Sequence, residues 1–116
     1  MKRFSSTPIG VEDGFVLLFD HFEAETEMWS GTGERTVEKK VFFSESFEDA
    51  PSVTVSPTLI DAHNAAYLRL NLRVEAVAAD GFTIAADIWE DTRIARLGLR
   101  WQAIGTLGDP EETWDV

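Results

Sequence analysis

From Tyr67 to Ala76 the chain alternates without interruption. Leu68, Leu70, Leu72, Val74 and Ala76 fall in one set, and Tyr67, Arg69, Asn71, Arg73 and Glu75 in the other. A strand sends two such sets to opposite faces, whereas a helix would mix them around its circumference. The segment therefore predicts a β-strand with one buried side. Asp80-Gly81 follows as a turn signal. The next run continues the period of two, with Phe82, Ile84, Ala86 and Ile88 on the core side. A third run, Arg93 to Ala103, sets Ala95, Leu97, Leu99, Trp101 and Ala103 against Arg96, Gly98, Arg100 and Gln102.

Upstream, Gly14 to Phe19, Arg35 to Ser44 and Ser52 to Ser56 also read as strands. Pro51 and Pro57 bracket a strand start and an edge or bulge, because proline cannot donate to a central ladder. About six strands with almost no helical periodicity predict an all-β, six-stranded antiparallel β-sandwich. Without an internal repeat or linker, the 116 residues make one domain. We expect an N-terminal extension over 1–13, the sandwich over 14–105 and an acidic tail over 106–116.

Cysteine is absent, so packing or oligomerisation must supply the stability that disulfides give other small domains. Two basic residues near the start lack the apolar run of a secretory signal, and no stretch approaches a membrane span, so we expect cytoplasmic synthesis. The net charge of −11 repels phosphate backbones and anionic lipid surfaces, which argues against nucleic acid as a partner. Asp109, Glu111, Glu112 and Asp115 make the end strongly acidic, as a solvated, frayed terminus would be.

A series of short motifs now becomes meaningful. Phe47-Glu48-Asp49-Ala50-Pro51-Ser52-Val53-Thr54-Val55-Ser56, Ile60-Asp61, Leu68-Arg69 and Gly81-Phe82-Thr83-Ile84 are followed by Trp89-Glu90-Asp91-Thr92-Arg93-Ile94 and Trp101-Gln102-Ala103-Ile104-Gly105. In order and spacing this string resembles the H-type lectins, a family that includes invertebrate agglutinins and the carboxy-terminal domain of discoidins. The resemblance implies a sandwich assembling as a homotrimer or homohexamer. It also implies metal-free binding of galactose or N-acetylgalactosamine between neighbouring subunits, with cell adhesion as the setting. By motif position, Arg69 corresponds to a sugar-binding arginine and Trp89 to a stacking aromatic. Glu90 stands where some members carry histidine. Thr32 falls where the family carries aspartate, with Glu34 two residues on as a substitute carboxylate.

The chemistry of these side chains fits that role. Indole offers a flat apolar surface to the C–H face of a sugar ring, and guanidinium can donate paired hydrogen bonds to vicinal hydroxyls. Carboxylates such as Glu90 accept from hydroxyls. Competing readings remain for each. Arg69 could simply pair with one of many acidic side chains, and Arg73, Arg96 and Arg100 suit inter-strand or inter-subunit pairing. Asp91 with Thr92 suits a turn. Asp87, Glu90 and Asp91 could hold a hard cation, though their spacing matches no known loop. Catalysis is disfavoured: His21 and His63 have no nucleophile or phosphate loop beside them. The main alternative to a lectin is a trimeric cap, spike or adaptor that recognises protein or cell-surface polysaccharide, docked through 1–13. Phe15, Leu17, Phe42 and Trp101 together exceed what one small sandwich is expected to bury, which favours self-association.

Overall fold

The computed structural model describes residues 1, 8–22 and 25–108. Six strands, β1 (Ile9–Asp20), β2 (Arg35–Phe42), β3 (Ser52–Ala62), β4 (Leu70–Ala78), β5 (Gly81–Ile88) and β6 (Ile94–Thr106), are joined by loops and one short helix, α1 (Glu27–Ser30). They form two three-stranded antiparallel sheets, ordered β1-β6-β3 and β2-β5-β4. The expected six-stranded sandwich is the observed fold.

The two central strands, β5 and β6, are the ones whose alternation is cleanest in the sequence. Phe82, Ile84, Ala86 and Ile88 meet Leu97, Leu99, Trp101 and Ala103 between the sheets. At the far end of this core, Phe43, Phe47, Phe82 and Trp101 pack ring against ring at centroid separations of 5.1 to 5.9 Å. Trp101 is thus a core residue and does not add to the surplus apolar surface. Phe15 and Phe42 do, and both are more than half exposed.

Three local departures from simple alternation matter. First, β3 runs through Pro57 to Ala62, well past Ser56. It can do so because β3 is an edge strand, and its register with β6 shifts between Pro57 and Leu59. Second, the alternation around β4 fails at both ends. Leu68 lies before the strand and is exposed, and Ala76 is exposed at a bulge with φ of 51°. Third, β1 begins at Ile9, so residues 9–13 belong to the sandwich instead of to an extension. Residues 2–7 of that extension, and 109–116 of the acidic tail, lie outside the described residues.

The β4–β5 turn requires glycine at Gly81. A β-carbon there would sit 2.3 Å from the carbonyl oxygen of Val41. Beyond β2, Phe43 and Phe47 donate their backbone N–H groups to Asp80 and Ala79, closing that end of the molecule.

Candidate functional site

At the opposite end, Arg35 of β2, Ile88 of β5 and Leu70 of β4 lie in one row across the sheet. Thr36, Asp87 and Asn71 form the next row. These two rows, with Glu34 and Trp89 from the adjoining loops, line a surface cleft of about 480 Å³. Trp89 is part-buried one residue beyond the end of β5, with the cleft on one side.

Arg35 was not anticipated as a site residue, yet it organises this end. It occupies the inward parity of β2, and only 6% of it is exposed. Its guanidinium closes the core by donating to four backbone carbonyls. Nε reaches Gly33 at 2.9 Å, Nη1 reaches Glu27 at 3.0 Å and Gly31 at 2.9 Å, and Nη2 reaches Glu90 at 3.0 Å. Burial, reinforced by the charge of Arg93, lowers its pKa from the ordinary arginine value. The carbonyls belong to α1, to the loop before β2 and to the turn after β5, so one side chain fixes three segments.

The turn after β5 is itself constrained. Glu90 has φ of 57°, a left-handed conformation uncommon outside glycine, and its carbonyl also accepts from the backbone of Gly33 at 3.1 Å. Thr92 then links the turn to the segment before β4. It is 1% exposed. Its hydroxyl donates to the Tyr67 carbonyl at 2.6 Å and accepts from the Arg69 backbone N–H at 2.9 Å. Here Thr92 does more than shape a turn: it aligns Tyr67 and Arg69 with Trp89, Glu90 and Asp91.

The sequence candidates distribute as follows. Trp89 and Glu34 line the cleft directly. Arg69 lies just before β4, and its side chain forms an ion pair with Asp91, approaches Glu90 at 3.8 Å and stacks over the Tyr67 ring at 5.0 Å. The arginine is thus ion-paired, and the residue after it, Leu70, lines the cleft. Glu90 and Thr32 are exposed in the two loops that Arg35 joins.

The cleft wall also contains a polar network that the sequence reading treated only as inter-strand pairing or a cation cluster. Asp87 accepts from Arg73 Nε at 2.7 Å, Arg73 Nη2 at 3.0 Å and Thr36 at 2.7 Å, with Asn71 at 3.4 Å. Hydrogen bonds from Arg73, then from Thr36, pull its carboxyl down to about 2 from an ordinary 3.8. Arg96–Asp61 and Arg100–Asp13 likewise join neighbouring strands. Asp87 is held by Arg73, and Asp91 by Arg69. Among the described residues no three His, Asp or Glu side chains converge as a metal-ligand group. His21 and His63 flank Trp29 at 6.0 and 5.9 Å between ring centroids, at the ends of β1 and β3.

The chain is a small antiparallel sandwich with an open cleft of mixed polar and apolar lining, and a tryptophan among the loops at one end. The H-type lectin domain family model matches residues 38–104, more than half of the chain. The chain belongs to the H-type lectin family. It is 36% identical over 108 residues, 93% of each chain, to the "ATP synthase subunits region ORF 7" protein of Fuscovulum blasticum. In structure it is similar to recombinant discoidin II of Dictyostelium discoideum, with a TM-score of 0.76 and 25% identity over 93% of this chain. The chain spans 40% of the length of discoidin II. It shares a fold more distantly with an R1-type pyocin tail fiber, at a TM-score of 0.50 and 18% identity, over 84% of this chain and 70% of that one. Family and fold support a carbohydrate-binding role.

Proposed function

We propose that this protein is a non-catalytic lectin that binds galactose- or N-acetylgalactosamine-type glycans, including those on cell surfaces, at the cleft beside Trp89. The observation that carries this reading is the convergence at one end of the sandwich. Trp89 and Glu34 line the cleft, while Arg69 and Glu90 are tied to its rim by buried Thr92 and Arg35. The indole supplies an apolar platform. Glu34, Asn71 and Glu90 supply acceptors or donors for hydroxyls, and Arg69 a forked donor.

The cleft is shallow, and useful affinity on a glycan surface then comes from several sites per particle. Exposed Phe15 and Phe42 are available for self-contact, and we propose a trimer or hexamer in which a neighbouring subunit completes each site. The same exposed phenylalanines also suit a scaffold reading, in which the oligomer is an adaptor for protein. A glycan array probed with the purified protein separates the two. Binding to galactose-terminated glycans that survives a metal chelator supports the lectin. An array with no bound glycan supports the adaptor, and binding lost in chelator and restored by calcium contradicts the metal-free site.

A further inference from the structure

Tyr67 is the only tyrosine of the chain and is 75% exposed. Among the described residues, its ring lies outside the hydrophobic core cluster. Among the described residues its hydroxyl has no hydrogen-bond partner. Yet the ring does not hang freely. The Arg69 guanidinium lies 5.0 Å from its centroid, within cation–π range. Its own carbonyl is held at 2.6 Å by Thr92, a residue with almost no exposed surface. Its neighbour Leu68 is also exposed, beside the start of β4.

We infer that Tyr67 is a second sugar platform, a subsite for the saccharide unit linked to the one in the Trp89 cleft. The inference rests on the lectin reading of that cleft and deepens it: the ligand is an oligosaccharide, not a lone monosaccharide. Three features combine. One side of the ring is occupied by Arg69 and most of the rest is open, so an aromatic surface is presented in a fixed place. Arg69 is shared, because its guanidinium stacks on Tyr67 while its Nη atoms pair with Asp91 and approach Glu90, the residue after Trp89. Tyr67 and the turn carrying Glu90, the residue after Trp89, therefore meet at one arginine, and Leu70, the residue after Arg69, lines the cleft. Finally, the hydroxyl is free to donate to or accept from a sugar hydroxyl, as a tyrosine with its ring against an apolar sugar face and its tip in water can do.

The test compares monosaccharide with disaccharide affinity by calorimetric titration. Galactose and N-acetylgalactosamine are titrated beside lactose, melibiose and β-1,3-linked galactosyl-N-acetylgalactosamine. At least one disaccharide should bind wild type about three- to tenfold more tightly than its better monosaccharide, the scale of one aromatic contact. Tyr67→Ala should bring that ratio to about one, whatever it does to monosaccharide affinity, and Tyr67→Phe should keep most of it. Equal affinities for mono- and disaccharides in wild type overturn the subsite. So does a ratio that survives Tyr67→Ala, which would leave the ring acting only through Arg69. A Tyr67→Ala protein that falls to a smaller oligomer assigns the ring to a subunit contact, and this also overturns it. If wild type binds none of these sugars, the lectin reading itself fails and the subsite with it, an outcome distinct from monosaccharide binding without a disaccharide gain.

Discussion

The Arg35 guanidinium donates to the carbonyl oxygen of Glu90 at 3.0 Å, joining residues 55 positions apart. Because the same group also holds Glu27, Gly31 and Gly33, the loop before β2 and the turn after β5 are tied to one side chain. Removing the guanidinium takes a donor from four carbonyls at a nearly closed site. Glu27 and Glu90 keep a backbone N–H, while Gly31 and Gly33 lose the only donor their carbonyls have among the described residues. Arg35→Met should therefore lose about 3 kcal/mol or more of unfolding free energy, the scale of breaking a buried, charge-assisted network. Arg35→Lys should recover only part of this, since a single ammonium cannot replace a fork reaching four acceptors. Urea denaturation of the three proteins measures both. A loss below about 0.5 kcal/mol in Arg35→Met would mean that the clamp is dispensable.

Thr92 allows a cleaner separation of size from hydrogen bonding. Thr92→Val keeps the volume but strands the Tyr67 carbonyl and the Arg69 N–H, and should cost about 1–3 kcal/mol. Thr92→Ser retains the hydroxyl and should stay much closer to wild type. Denaturation midpoints of the pair give the comparison, and equal midpoints would remove Thr92 as the link between the turn and the segment before β4.

Asp87 predicts a pH dependence whose sign is fixed by its environment. Its carboxyl falls from an ordinary 3.8 to about 2 in the folded protein. The stabilisation is therefore fully present above the unfolded value and is lost as pH falls through the folded one. Wild type should melt above Asp87→Asn at pH 7, and the gap should narrow between about pH 4 and pH 2 as Asp87 gains a proton. Melting curves across pH 2–7 decide the point. A gap that stays constant down to pH 2 would mean that Arg73 and Thr36 do not hold the carboxylate in its charged form.

Much of this fold is legible in the sequence, for reasons that also explain the misses. Phe82, Ile84, Ala86 and Ile88 alternate faithfully because β5 has a neighbour on each side and packs directly on β6. Leu68 breaks the rule because its strand begins only at Leu70, and Ala76 because a bulge turns the chain there. Neither event leaves a mark in hydrophobic spacing. At this end of the sandwich, Trp89 and Glu34 line the cleft. Arg35 was invisible because its partners are backbone carbonyls from distant loops, which no side-chain pattern encodes. The row of Thr36, Asp87 and Asn71 needed the strand register, which parity alone does not supply.

The proposed assembly rests on exposed apolar side chains that the single sandwich leaves uncovered, Phe15 and Phe42 among them. Static light scattering should give about three or about six chains per particle, the numbers that close with three-fold symmetry. Replacing Phe15 and Phe42 together with serine should reduce the particle mass if these rings lie between subunits. A wild-type monomer at micromolar concentration would contradict the shared-site arrangement.

The most direct test of the account is the titration of Trp89→Ala against the galactose-type glycan that wild type binds best. Removing the indole takes away the flat apolar platform while leaving the buried clamps of Arg35 and Thr92 in place. Affinity should fall about tenfold or more per site, corresponding to ~1.4 kcal/mol or above, with the oligomer and the fold retained. Trp89→Ala protein that binds the glycan as tightly as wild type would contradict the assignment of this cleft as the sugar site.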